Sequence, residues 1–89
     1  METKFQNDRM LYIPGSVLKR LVQDEINRGA PIDRESAIID LMIDMHEEDV
    51  KSHRYYAKRW KWKDHTTYKR MKVMRLDIAE RLNQGLPND

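Results

Sequence analysis

Residues 52–71 read SHRYYAKRWKWKDHTTYKRM, with two tryptophans and three tyrosines set among lysines and arginines. Cations at this density attract phosphates, and aromatic rings among them either stack on bases or anchor a fold beneath the charge. The chemistry on offer is therefore polyanion binding. Other chemistry has little to stand on. His46, Glu47, Glu48, Asp49 and His53 have types that ligate zinc, but no His-x-x-x-His pair stands on one helix, so no metal is expected. There is no nucleophile–base–acid arrangement, no glycine-rich phosphate loop and no paired-carboxylate motif. The chain is expected not to be an enzyme, to carry no cofactor and to take no small-molecule substrate.

The charge is segregated along the chain. Residues 1–50 hold six Lys/Arg and eleven Asp/Glu (−5), residues 51–75 hold ten Lys/Arg and Asp64 alone (+9), and residues 76–89 hold one Arg and three acids (−2), which sums to the net +2. One segment alone thus addresses a polyanion. The 89 residues contain no cysteine, which excludes disulfides and thiolate metal sites and points to an intracellular setting. No apolar run approaches the ~20 residues that a membrane span requires. A chain this short buries about 60–65% of its unfolded surface, so one modest core is expected.

The elements that position the basic segment follow from apolar spacing. An extended or strand-like lead-in is expected at residues 9–13. Val17, Leu18, Leu21, Val22 and Ile26 recur at helical intervals and predict a helix over 14–28, opened by Pro14 and stopped by Gly29. Asp33 is a natural N-cap for a helix over 34–48, with Ile32 placed to staple onto Ala37. Ala37, Ile38, Ile39, Leu41, Met42, Ile43 and Met45 cover more than half of that helix. It is either central to the fold or partly buried in a partner, and a homodimer is expected to take the surplus. Asp40, Asp44 and Glu48, four residues apart, read as an exposed acidic stripe. A third helix is predicted over 51–60 and a break over 61–63. Asp64 then caps a fourth helix, which runs to about Gln84 on the rhythm Thr67, Met71, Met74, Ile78, Leu82 before Gly85 and Pro87. The fold class is all-α, with about four helices in one domain. Residues 1–50 are the scaffold and dimer face, 51–75 a basic helix-turn-helix, and 76–89 the helix end and tail.

Two helices joined by a tight turn, the second one basic, describe a helix-turn-helix. Ala57 is the small residue where the helices cross, while Trp60 and Trp62 pin the turn from the core side. His65, Thr66, Lys69 and Arg70 then stand where side chains reach base edges in a major groove ~12 Å wide. Lys58, Arg59, Lys61, Lys63 and Lys72 surround them for phosphates. Tyr55 and Tyr68 are the aromatics expected at the surface, with Tyr68 within the binding face.

The run YYAKRWKWKDHTTYKRM resembles the helix-turn-helix of replication initiators and replisome organisers of phages and phage-like mobile elements. That motif reads roughly L-A-x-R-W-x-W-S-x-x-x-V-x-R-F-L. The matching positions are Tyr56-Ala57, Arg59-Trp60, Trp62, Thr67 and Lys69 through Met71. YIP near the start and ESAIIDLMIDMH before the motif extend the resemblance over roughly residues 10–75, with A-K-R-W-K-W its most specific part. The resemblance implies recognition of double-stranded DNA repeats at an origin, in initiating replication of a phage or mobile element. It also implies replisome proteins as partners and the bacterial cytoplasm or nucleoid as the place of work. The departures are Lys61 where the family has Gly at the tightest point of the turn, and Thr67 and Arg70 at its apolar positions. Thr67 can turn its methyl inward, and Arg70 can lay its stem on the core. VMRLDIAERLNQG stands where a winged helix has its β-hairpin and reads as more helix, so the wing is expected to be absent. The same DNA-binding surface suits a transcriptional regulator or an excisionase-type protein. An adaptor that docks its basic face on an acidic protein, and a single-strand or RNA binder, are the other classes.

Overall fold

The computed structural model describes residues 15–83 as four helices: α1 (Gly15–Asn27), α2 (Arg34–His46), α3 (His53–Trp60) and α4 (Asp64–Leu82). The described residues contain no strand, and helix continues through residues 73–82 of the stretch where a wing would stand. The lead-in expected at 9–13, Pro14, and the stop signals Gly85 and Pro87 lie outside the described residues.

Local chemistry sets the helix ends. α1 stops at Gly29, whose φ of 84° suits a residue without Cβ. The Asp33 side chain accepts the Ser36 N–H at 2.7 Å and so caps α2. α2 ends two residues earlier than predicted. The Glu48 N–H donates to the Met45 carbonyl at 3.2 Å and the Asp49 N–H to the Asp44 carbonyl at 2.8 Å. Glu48 holds the left-handed φ of 56° that this double closure requires. Ser52 accepts the Tyr55 N–H at the start of α3. Asp64 does not cap α4. Lys63 occupies the cap position, with no side-chain cap bond, and Asp64 is the first helical residue. There its charge still favours the positive end of the helix dipole.

The core explains the breadth of α2's apolar surface. Residues 36–43 of this helix are buried without interruption. α1 packs on it with Leu18 and Val22, and α4 packs on it with Met74 and Ile78. Tyr56 and Trp60 of α3, both fully buried, join the same cluster. α2 is thus the central helix of the chain, and the apolar surplus that pointed to a second copy is covered from within. The ends are tied by charge as well. Arg81 near the end of α4 donates to Glu35 at the start of α2 at 3.1 Å, and Lys19 of α1 meets Glu47 beyond α2 at 2.9 Å. The second pair is exposed and adds little.

Trp60 is the largest fully buried side chain. Trp60→Ala should cost about 3–5 kcal/mol. A thermal melt followed by circular dichroism should show a fall in Tm of more than about 10 °C; an unchanged Tm would overturn the core assignment.

Candidate nucleic-acid interface

α3, the turn over residues 61–63 and α4 form one packed unit. The turn is built from backbone bonds. The Trp62 N–H reaches back to the Ala57 carbonyl at 2.9 Å, which requires Lys61 to adopt φ 59° and ψ 41°. That is the left-handed conformation usually left to glycine, and a non-glycine residue there carries about 1–2 kcal/mol of steric cost. Thr67 is fully buried and its hydroxyl donates to the Lys63 carbonyl at 2.9 Å. It packs inward while its one polar atom closes the first turn of α4.

The turn is also held from the other side of the molecule. The Ile32 N–H donates to the Trp60 carbonyl at 3.2 Å, and the Ile32 carbonyl accepts the Trp62 indole N–H at 2.8 Å. The α1–α2 linker and the turn are thereby stitched together. The rings of Tyr56, Trp60 and Trp62 pack in a row behind this seam, the first pair tilted and the second edge to face, with successive centroids 4.8 and 4.9 Å apart.

The carboxylates of α2 depart most from the sequence reading. Asp40 is not part of an exposed stripe: it is 6% exposed. It accepts the Trp60 indole N–H at 2.7 Å, the Arg59 Nε at 2.8 Å and the Arg59 Nη2 at 3.2 Å. Asp44, one turn on, accepts the Tyr56 hydroxyl at 2.6 Å, while that oxygen takes the Lys51 N–H at 3.2 Å. Burial first, and then the bond to Asp44, push the Tyr56 phenol well above its ordinary pKa. Only Glu48 of the three acids is exposed. Arg59 is correspondingly withdrawn from the phosphate-binding set. Its guanidinium also donates to Gln23 of α1 at 3.2 Å, and the bond to Asp40 raises its pKa further. It is a structural cation.

The remaining predicted residues stay on the surface. His65, Tyr68, Lys69, Arg70 and Lys72 of α4 are exposed, as are Lys58, Lys61 and Lys63, while Thr66 is half-buried. His65, Lys69 and Lys72 fall at i, i+4 and i+7 and so share one stripe of α4. The Arg70 guanidinium instead lies 4.7 Å from the Trp62 ring centroid. Its stem covers the edge of the core, and its charge is shared with an aromatic face. Tyr55, expected at the surface, is exposed too. Of the ten cations in residues 51–75, Lys51 pairs with Asp44 and Asp49, and Arg59 pairs with Asp40. The other eight (10 − 2) have no carboxylate within ion-pair distance among the described residues.

Two of those eight, Arg54 and Arg75, were absent from the sequence-derived set. Both are exposed and both face the groove between α3 and α4. The signal for Arg75 was present, since it lies seven residues beyond Tyr68 on the same side of α4. No protein-family model, curated protein or solved structure matches this chain.

Two outcomes test this geometry. Asp40→Ala strands the buried Trp60 indole N–H, at about 1–3 kcal/mol for a donor left without an acceptor, while the partly exposed Arg59 guanidinium keeps Gln23; urea unfolding should show the loss as a lower midpoint with unchanged m. Lys61→Gly relieves the left-handed strain, partly offset by the greater freedom of glycine in the unfolded chain. A net gain of about 0.5–1 kcal/mol is expected from the same measurement, and a loss would show that the Lys61 side chain itself holds the turn.

Proposed function

We propose that this domain binds double-stranded DNA sequence-specifically, and that it recognises the replication origin of a phage or mobile genetic element inside a bacterial cell. One observation carries the binding part: eight cations without carboxylate partners among the described residues are exposed on a single two-helix unit, while the two that do pair, Lys51 and Arg59, are half-buried. A face that was merely solvated would have drawn on the acids of the same chain, as Lys19, Arg28 and Arg81 do. The origin role is supported by the resemblance of A-K-R-W-K-W and its flanks to phage initiators.

In this reading α4 enters the major groove and presents His65 and Lys69, with Lys72 at the flank of that stripe. Lys69 suits the O6 and N7 acceptors of guanine, while His65 and Thr66 offer shorter donors nearby. Lys58, Lys61 and Lys63 lie around the turn, where they neutralise phosphates and set the register. Arg70, held on Trp62, contributes charge at the edge of the groove. Two copies of the domain would suit repeated half-sites. Because α2 is consumed within the chain, such pairing would use another surface.

The test is fluorescence anisotropy with duplexes tiling the element that encodes the chain, against a scrambled duplex and a single strand, over 50–200 mM salt. Tight, salt-dependent binding to one duplex near an origin is expected, and clustering at a promoter would assign a regulator instead. Lys69→Ala should relax sequence preference by about 1–3 kcal/mol. Lys63→Ala should weaken all duplexes alike and lower the salt slope by about one. Equal, weak binding to every duplex would overturn the reading in favour of an adaptor with a basic docking face.

A further inference from the structure

The groove between the first turn of α3 and the middle of α4 is lined at one end by His53, Arg54, Asp64, His65 and Tyr68. At the other end Ser52, Met71, Lys72 and Arg75 join the same His53 and Tyr68. Those two residues line both ends, so the ends adjoin at the His53–Tyr68 contact. The lining of this trough is largely apolar: the His53 and Tyr68 rings meet edge to face at 5.1 Å, and Met71 in the same lining is buried. The Lys72 ammonium lies 4.5 Å from the Tyr68 ring centroid, so its charge is held over the trough. Arg54 from α3 and Arg75 from α4 line the trough with it, both exposed and without a carboxylate partner among the described residues. Asp64 is the one acid, which leaves three cations against one anion.

We infer that this trough seats the sugar–phosphate backbone of one DNA strand, with Arg54, Lys72 and Arg75 on successive phosphates. The inference rests on the DNA-binding reading and adds to it a second set of phosphate ligands, separate from the lysines of the turn. Charge complementarity selects the occupant. Cations drawn from two helices line an elongated trough, and a linked row of phosphodiesters meets them in sequence, whereas a single free anion would meet one or two. The position agrees with this choice. Tyr68, Lys72 and Arg75 (i, i+4, i+7) form one flank of α4, directly beside the stripe of His65 and Lys69. A helix lying in a major groove has a phosphate backbone running along its flank, so bases in front of the stripe place phosphates over the trough. The edge-to-face packing of His53 and Tyr68 is then a spacer that holds α3 and its Arg54 at a fixed distance from α4.

The experiment uses the full chain with Arg54→Ala and Arg75→Ala, and the duplex that binds tightest. Both side chains are exposed, so thermal melts should match the parent and certify folding. Each variant should bind all duplexes more weakly by a common factor, and its log K against log salt slope should fall by about one. Duplexes carrying a neutral methylphosphonate at single positions locate the contact. At one or two adjacent positions on one strand, the substitution should weaken the parent chain and leave the matching variant unaffected. If the parent binds a duplex tightly and the variants keep its slope and its methylphosphonate pattern, the trough is not a phosphate seat and DNA lies elsewhere. If the parent itself shows no salt-dependent duplex binding, the DNA-binding reading fails and takes this inference with it.

Discussion

A carboxylate in the middle of a buried helix is costly unless donors surround it. Asp40 is that carboxylate, and its requirement organises the rest of the molecule. Its oxygens take the indole of Trp60 and two nitrogens of Arg59, all from the last turn of α3. Meeting that requirement fixes where α3 ends and which way its last side chains face. The turn follows directly, because Trp62 and Lys61 are the next residues along the chain. Asp44 repeats the device one turn later with Tyr56. Two acids on one side of α2 thus hold a short helix that makes much of its other contact with α4.

The same arrangement sorts the cations. Arg59 faces α2 and α1, where it meets Asp40 and Gln23. Arg54 and Lys58, on the same helix, remain at the surface. A basic segment of even composition therefore becomes a two-sided structure: one guanidinium compensates a buried charge, and the others face solvent over a packed aromatic wall. The tryptophans belong to that wall. Each indole N–H is satisfied inside the protein, by Asp40 for Trp60 and by Ile32 for Trp62, so neither ring has a polar edge left to offer a ligand. The exposed aromatic in the candidate interface is Tyr68, and it too is engaged, between His53 and Lys72.

Much of the fold could be read from apolar spacing. The four helices, the break over 61–63, the Asp33 cap and the inward faces of Thr67, Met71, Met74 and Ile78 follow from local rules that the structure obeys. What escaped notice depends on partners distant in sequence. Asp40, Asp44 and Glu48 have one spacing, and nothing local distinguishes the two that receive α3 from the one that faces solvent. Arg59 looks like its neighbours until Asp40 is known to lie opposite it. The breadth of α2 was visible, but whether two helices of the same chain or a second chain cover it is a question of how α1 and α4 pack. The cap of α4 was misplaced by one residue because a first-turn acid and an N-cap acid answer to the same helix dipole. Within the candidate site, the stripe on α4 was legible from periodicity, while Arg54 joins the groove beside α4 only once α3 has been folded onto it.

The seam at Ile32 bears on what kind of object the basic segment is. Both backbone polar groups of this linker residue are spent on the turn, one on the Trp60 carbonyl and one on the Trp62 indole. The turn is therefore completed by a residue that precedes it by about thirty positions, together with an aspartate twenty positions upstream of Trp60. Residues 51–75 are not a transplantable cassette. Grafted onto another scaffold they would bring their charge and their tryptophans, and leave behind the main-chain and carboxylate groups that give the turn its shape.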